Sequence, residues 1–204
     1  MIAVSLAAGG VPLRPIGIGL GAVGWLLALA LRAPVALLAM RTTGDVARAQ
    51  PIITASSGPL EEVVRLTVLL MLGRDLSTAL SIGLGWAAVE VVYSLINGVA
   101  LLSLLDRDDD AARQARAMLP IPAAIEPRAP WWGVIERITA SALHIAFTLI
   151  IAAQPLLVVV TAPVHSAVNL ALLRMARSRS IARFEATLAV IALVVLAIAV
   201  ALWR

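Results

Sequence analysis

Residues 131–153 read WWGVIERITASALHIAFTLIIAA, an apolar segment of the length that a helix needs to cross a bilayer. Four polar side chains interrupt it at intervals of four, three and four residues, namely Arg137, Ser141, His144 and Thr148. Those intervals put the four side chains in one stripe along a helix. A polar stripe at membrane depth has to face protein or water, so the segment predicts a helix bundle with a polar interior.

The composition extends this prediction to all 204 residues. Hydrophobic residues make up 61% of the chain and the mean hydropathy is +0.99, above the apolar share of about half that is usual in soluble domains. We therefore expect an all-α, polytopic membrane bundle of about six spanning helices, with residues 1–10 forming a seventh, short segment or an interfacial one. The expected helices are 16–40, 59–73, 77–105, 131–153, 156–175 and 184–202.

The connections complete the expected organisation. Residues 41–57 are predicted to form a polar loop, with Pro59 in the first turn of the second helix. A hydrophilic connection at about 106–130 joins the third and fourth helices, because mixed charges there are followed by prolines. Residues 1–204 are thus expected to form a single membrane domain.

The arginines are distributed unevenly over the predicted loops. One set of loops contains most of them, and Arg14, Arg74 and Arg204 lie on the opposite side. The positive-inside rule then puts the Arg-rich loops in the cytoplasm and both termini outside. We expect an integral protein of a bacterial cytoplasmic membrane. The Arg-rich set comprises Arg41, Arg48, Arg107, Arg113, Arg116, Arg128, Arg174, Arg177, Arg179 and Arg183.

Composition also restricts the partners and the chemistry. The pI is 11.2, but the arginines flank apolar runs and do not alternate with aromatic residues on a soluble element, so no nucleic acid partner is expected. The chain has no cysteine, which excludes disulfides, thiolate nucleophiles and cysteine-ligated zinc. The expected partners are the lipid bilayer and a peptide or membrane-protein substrate, and the sequence is compatible with a homo-oligomer.

Acidic residues lie inside or at the start of the apolar runs. An ionised group in hydrocarbon is costly unless it meets a partner or a wet cavity. Glu61, Glu62 and Arg65 begin the second predicted helix, where the alternative to a functional site is an ion pair at a helix start. Glu90 lies in the middle of the third predicted helix, where the alternative is a neutral, hydrogen-bonded side chain.

Both histidines of the chain, His144 and His165, also lie in apolar runs. His165 and Asn169 are four residues apart and share a helix face. Imidazole binds metals well, and an amide can orient a water or an oxyanion. The structural alternative is a hydrogen-bonded pair that holds the fifth helix to its neighbours.

The order of these motifs resembles the YhfC family of intramembrane metalloproteases. That family belongs with the CAAX prenyl proteases, the PrsW proteases and the anterior-pharynx-defective subunit of gamma-secretase. The resemblance covers residues 12–173, and it is strongest at 136–148. The motifs are, in order, Glu61-Glu62-x-x-Arg65, Gly83-x-Gly85-x-x-x-x-Glu90, Glu136-Arg137-(x)6-His144 and His165-x-x-x-Asn169, the last of which is similar to the final motif of the CAAX proteases.

Two features depart from the pattern. The CAAX proteases have three residues between the glutamate pair and the arginine, whereas this chain has two, as in the YhfC and PrsW proteins. Trp86 follows Gly85 where many YhfC-like sequences have histidine, which removes one candidate ligand.

The resemblance implies an intramembrane peptidase. Glu61 or Glu62 would activate a water, Arg65 would orient the glutamates, and Asn169 would stabilise the oxyanion. The histidines would position that water or bind zinc or another divalent metal. The implied metal ligands are Glu62, Glu90, His144 and His165, with Glu136 and Arg137 supporting them from outside.

Two other functions fit the residues themselves. In the first, the polar cluster stabilises a non-catalytic membrane scaffold or binds a partner helix. In the second, the buried glutamates and histidines form the relay of a small transporter or proton carrier. The transporter ranks last because the sequence shows no inverted repeat.

Overall fold

The computed structural model describes residues 10–110, 112–113, 131–175 and 181–204. All long elements in these ranges are helices, so the predicted all-α class is confirmed. Residues 1–9 and most of the predicted connection at 106–130 lie outside the described residues. The helices are α1 (Pro15–Thr43), α2 (Val46–Leu72), α3 (Leu76–Asp106), α4 (Trp131–Ala153), α5 (Val158–Met175, after a short 3-10 turn at Pro155–Leu157) and α6 (Ile181–Leu202).

Five of the helices in the described ranges are long and apolar enough to cross a membrane, which makes the chain an integral membrane protein. These are α1, α3, α4, α5 and α6. The remaining helix, α2, is more polar because it carries Glu61, Glu62 and Arg65, all of them buried. These residues therefore face protein and are shielded from lipid by the neighbouring helices.

Helix α2 starts earlier than the sequence predicted. The expected loop at 41–57 is wrong, because α2 begins at Val46 after Asp45 caps it by accepting a hydrogen bond from the backbone of Ala47. Pro59 lies inside the helix and not in its first turn. Proline has no N–H for the carbonyl four residues earlier, and here the Ser166 hydroxyl of α5 donates to that carbonyl, on Ala55, at 2.6 Å.

The packing order of the helices is α5, α2, α1, α3, α4, α6. Each helix packs extensively on the next in this series, and α2 also touches α4 in the interior. The two ends of the series, α5 and α6, make little direct contact. The bundle is therefore a ring of helices with one loosely packed seam.

Glycines bring the backbones of α1 and α3 into contact. A Cβ atom at Gly21 would lie 2.2 Å from the Ile82 carbonyl oxygen, and one at Gly85 would lie 1.9 Å from the Ile18 carbonyl oxygen. Any larger side chain would separate the helices, which is the usual role of small residues between membrane helices. Gly85 belongs to the motif predicted from sequence, and its function here is packing.

The alternating directions of the helices place the loop arginines at two opposite ends of the bundle. At one end, Arg14 pairs with Asp75 at 3.3 Å, and Arg74 donates to the Ala152 carbonyl at 3.2 Å. Trp203 lies near the same end and donates to the Leu149 carbonyl at 3.0 Å. The arginines of the Arg-rich set that the structure describes lie toward the other end.

Candidate functional site

The predicted polar residues converge in the middle of the bundle. His144 lies about 14 Å from the end of α4, a helix long and apolar enough to cross a bilayer, at 1.5 Å per helical residue. Glu61 of α2 lies beside it, 3.9 Å from His144 Nδ1. The hydrocarbon core of a bilayer is about 30 Å thick, so these depths are close to its centre. Both side chains are almost fully buried.

His165 links the two adjacent glutamates of α2. Its Nδ1 lies 2.6 Å from Glu62 Oε1, and its Nε2 lies 3.9 Å from Glu61 Oε1. A carboxylate bonded to one ring nitrogen fixes the orientation of the imidazole and makes the other nitrogen more basic. His165 therefore presents Nε2 towards Glu61.

His144 approaches Glu61 from the opposite side, from α4. Its Nε2 contacts Glu90 on α3, and its Nδ1 lies 3.9 Å from Glu61 Oε2 and 3.2 Å from Arg65 Nη2. Arginine can only donate hydrogen bonds, so Nδ1 is the acceptor and Nε2 carries the proton that is donated to Glu90. Each histidine thus has one nitrogen on an outer carboxylate and the other facing Glu61.

Arg65 occupies the interior between α2, α3 and α4. Its guanidinium donates to the His144 carbonyl and the Thr148 hydroxyl, both at 2.7 Å, and its Nε lies 3.1 Å from Glu62 Oε2. It also lies over the Trp86 ring, 4.3 Å from the centroid. Removing this cation would leave buried carboxylates without their main counter-charge.

Two residues that the sequence reasoning did not assign to the site hold Glu61. Arg32 of α1 makes an ion pair with Glu61 Oε1, and Trp86 Nε1 donates to Glu61 Oε2 at 3.1 Å. Arg32 lies inside the first predicted helix, 16–40, where an arginine by itself indicates a partner or a polar interior. Trp86 stands four residues before Glu90, on the same face of α3.

Glu185 is a third residue that the prediction missed. It lies in α6, 2% of it is exposed, and its Oε2 has no hydrogen-bond partner among the described residues. Its electrostatic neighbours are Glu136 and Arg137. Glu185 is the second residue of the last predicted helix, 184–202, for which no candidate site residue was predicted.

The remaining predicted residues line a small cavity beside the histidines. Arg137 donates to the Ser94 hydroxyl at 2.8 Å and pairs with Glu90 at 3.5 Å and with Glu136. The cavity measures about 60 Å³, enough for a few waters. Its polar lining consists of Glu90, Glu136, Arg137, His144, His165 and Asn169.

Asn169 faces this cavity but is engaged elsewhere. Its amide nitrogen donates to the Ser57 hydroxyl of α2 at 2.7 Å. The structure thus places it beside His165, as the spacing predicted, and also uses it to attach α5 to α2.

The side chains able to hold a metal differ in part from the predicted ligand set. Glu61, His144 and His165 each offer a ligand atom, and these atoms lie within 4.8 Å of one another. Glu62 and Glu90, which the resemblance implied as ligands, instead contact the histidine nitrogens that point away from Glu61. That is the arrangement of outer carboxylates found around histidine ligands in metal sites.

Comparisons with protein-family models, curated proteins and solved structures find no match for this chain.

Proposed function

We propose that the protein is an intramembrane peptidase that hydrolyses peptide bonds of membrane-associated substrates. One observation carries the proposal. Two imidazoles, each oriented by an outer carboxylate, face a shared glutamate at membrane depth and border a polar cavity large enough for water. The resemblance of the motif order to the YhfC family supports the same reaction.

The residues divide the chemistry between them. His165 Nε2 can accept a proton from a water in the cavity, and Glu62 stabilises the resulting imidazolium through Nδ1. Glu61 is held by Arg32 and Trp86, which orients its carboxylate towards both rings. Arg137 and Asn169 line the cavity and supply donors for the oxyanion that forms when the peptide carbonyl is attacked.

The site also suits a divalent metal such as zinc. Two imidazole nitrogens and a carboxylate oxygen form a common ligand set, and Glu61, His144 and His165 would provide it. Such an ion, when bound, lowers the pKa of a coordinated water. Arg65 Nη2 would have to leave His144 Nδ1, while Arg65 Nη1 could keep its bonds to α4.

The charges around the site favour a cation. Three carboxylates contact the histidines and a fourth lines the cavity beside them, and three guanidinium groups pair with these four carboxylates. These seven groups together carry one negative charge if all are ionised and both histidines are neutral. A net negative charge in a low-dielectric interior attracts a positive ion or a proton. The carboxylates are Glu61, Glu62, Glu90 and Glu136, and the guanidinium groups are those of Arg32, Arg65 and Arg137.

The proposal includes the orientation in the membrane. The Arg-rich end faces the cytoplasm of a bacterial cell by the positive-inside rule. The stacked pair Trp131 and Trp132, with ring centroids 4.4 Å apart, marks the interface at that end.

The test uses the purified protein in lipid nanodiscs with a library of fluorogenic membrane peptides. His144→Ala, His165→Ala and Glu61→Gln should each lower the hydrolysis rate at least about 100-fold, because His165 is the proposed base and all three are ligands of the proposed metal. Asn97→Ala is the matched control, because this polar residue of α3 is exposed. Isothermal titration with zinc should show one site that the three variants lose and the control keeps.

One observation favours a second candidate, a non-catalytic scaffold. Glu61 already has Arg32, Trp86 and Arg65 as partners. A network in which every charge is paired can stabilise the helix packing without taking part in any reaction. On that reading the same substitutions lower the thermal stability, and neither hydrolysis nor zinc binding is detected in the unsubstituted protein. Wild-type hydrolysis that the variants lose at unchanged stability would exclude the scaffold.

A further inference from the structure

Glu185 is a buried acidic residue that has no role in the chemistry proposed above. Only 2% of it is exposed, and its Oε2 has no hydrogen-bond partner among the described residues. A carboxylate that is removed from water needs a compensating partner, either a hydrogen-bond donor or a positive charge. The groups around Glu185 indicate which partner it takes.

Glu185 lies at the outer end of the small cavity beside the histidines. Leu188 lines that cavity, and Glu185 is on the same face of α6, one turn closer to the Arg-rich end. Its electrostatic neighbours on α4, Glu136 and Arg137, also line the cavity. The Glu136 side chain is 36% exposed, so an ion from the aqueous phase at that end can reach Glu136 first and Glu185 behind it.

The excess negative charge of the described network lies at this outer end. In the interior, Glu61 pairs with Arg32. Glu62 pairs with Arg65 in the same way. At the outer end, the single guanidinium of Arg137 faces three carboxylates, those of Glu90, Glu136 and Glu185. If these outer groups are all ionised, they carry two negative charges together, which is the charge that one divalent cation balances.

The same carboxylates connect the aqueous phase with the candidate metal ligands. Arg137 pairs with both Glu136 and Glu90, so these two carboxylates lie at one guanidinium. Glu90 in turn contacts His144 Nε2. Carboxylate oxygens are general ligands of divalent cations. A cation held by Glu136 and Glu185 is thus one carboxylate, that of Glu90, away from the first histidine.

We propose that Glu136 and Glu185 are entrance carboxylates, which capture a divalent cation at the Arg-rich end and pass it inward to the centre formed by Glu61 and the two histidines. The proposal rests on the metal centre of the proposed function and assigns a role to residues outside that centre. The ion moves on because imidazole nitrogens suit zinc better than carboxylates alone. The Arg137 side chain is 25% exposed, so its guanidinium can turn outward while the ion passes.

The first experiment follows the arrival of the ion at the inner centre. Cobalt(II) held by imidazole nitrogens has visible absorption bands, so rapid mixing of Co²⁺ with the full-length protein in nanodiscs gives the association rate constant. A chelator chase gives the dissociation rate constant. Glu185→Gln should slow association at least about tenfold, because a cleft lined by one sign of charge raises on-rates by about 10- to 1,000-fold. Dissociation should not become faster, because Glu185 does not touch the bound ion.

Control variants separate this local role from other effects, and all rates are compared in 1 M salt. Asp110→Asn removes an exposed carboxylate at the same end, and it should change association by less than about twofold because the Debye length is then about 3 Å. Glu185→Asp keeps the charge and should retain at least about a third of the wild-type rate. Glu185→Gln should unfold at the wild-type temperature or above it, because it removes a buried charge without a partner.

The second experiment tests the entrance carboxylates without the inner centre. The variant His144→Ala with His165→Ala lacks the imidazole ligands, and manganese(II) prefers carboxylate ligands. Millimolar Mn²⁺ should therefore still bind weakly to this variant, which the loss of the electron paramagnetic resonance signal of free Mn²⁺ measures. Adding Glu185→Gln should lower the bound Mn²⁺ at least about fivefold, whereas adding Asp110→Asn should not.

The outcomes distinguish this proposal from the peptidase function. Unchanged association in Glu185→Gln, or a change confined to faster dissociation, would overturn the entrance role, and so would Mn²⁺ binding that is equal with and without Glu185. Absence of cobalt bands in the wild-type protein would overturn it together with the metal centre, while hydrolysis is measured separately. Cobalt arrival that depends on Glu185, in a protein that cleaves no peptide, would support the entrance role and overturn the peptidase function.

Discussion

Replacing Arg65 by glutamine tests whether the buried charge network holds the bundle together. The side chain has no exposed surface, and its guanidinium contacts Glu62, the His144 carbonyl and Thr148 within about 3 Å. Breaking one partner of a buried ion pair costs about 3–5 kcal/mol, because the other charge stays buried without compensation. An exposed pair such as Arg14 with Asp75 contributes at most about 1 kcal/mol.

The assay is reversible unfolding in mixed micelles with increasing sodium dodecyl sulfate, followed by circular dichroism. Arg65→Gln should lower the free energy of unfolding by about 3–5 kcal/mol, and Arg14→Gln by less than about 1 kcal/mol. Glu62→Gln combined with Arg65→Gln should be less destabilising than the sum of the single changes, because the orphaned charge disappears with its partner. A loss below about 1 kcal/mol for Arg65→Gln would refute the buried network.

Three further predictions concern the packing and the helix ends. Gly85→Ala should destabilise the protein by about 1–3 kcal/mol in the same assay, because its Cβ would meet a carbonyl of α1. Ser166→Ala should cost about 1–3 kcal/mol, because the Ala55 carbonyl would lose its donor. The Thr78 hydroxyl donates to Asp75 and holds the pKa of that carboxyl below its ordinary value of 3.8. The stability that the ionised carboxylate contributes is therefore present above pH 3.8 and lost as the pH falls below it. Thermal melts of Asp75→Asn should show no such loss.

Matched controls separate these effects from general damage. Gly98→Ala adds a methyl group where no neighbour lies within 4 Å, so it should be neutral or slightly stabilising. Thr187→Val removes an exposed hydroxyl that bonds only within its own helix, so it should change stability by less than about 0.5 kcal/mol. Equal effects of Gly85→Ala and Gly98→Ala, or of Ser166→Ala and Thr187→Val, would contradict the packing described here.

Most of the architecture could be predicted because it depends on local composition. Runs of apolar residues predicted five of the helices and the second half of α2, and the spacing of polar residues on α4 predicted its polar stripe. The start of α2 could not be predicted, because residues 41–57 are polar and two prolines, Pro51 and Pro59, normally disfavour a helix interior. A hydroxyl more than 100 residues away, on Ser166, compensates for Pro59, and no local pattern shows such a contact.

The candidate site was predictable as a set of residues but not as an arrangement. Intramembrane charge identified Glu61, Glu62, Glu90 and both histidines, and the structure brings them together. Spacing along one helix could not show which glutamate faces both rings, since that depends on how α2 is rotated against α4 and α5. Arg32 was not assigned to the site because its partner Glu61 is on another helix, 29 residues further along the chain.

The Arg32–Glu61 ion pair has a consequence for the synthesis of the protein. A helix carrying two glutamates and an arginine enters a bilayer poorly by itself, since each central charge costs about 2.5–3.5 kcal/mol during translocon-mediated insertion. Here α1 and α2 are consecutive in the chain and together contain the opposing charges, with Arg65 close to Glu62 on the same helix and Arg32 on the one before. The α1–α2 hairpin can thus leave the translocon as one electrically compensated unit, before the histidine-bearing helices have been translated.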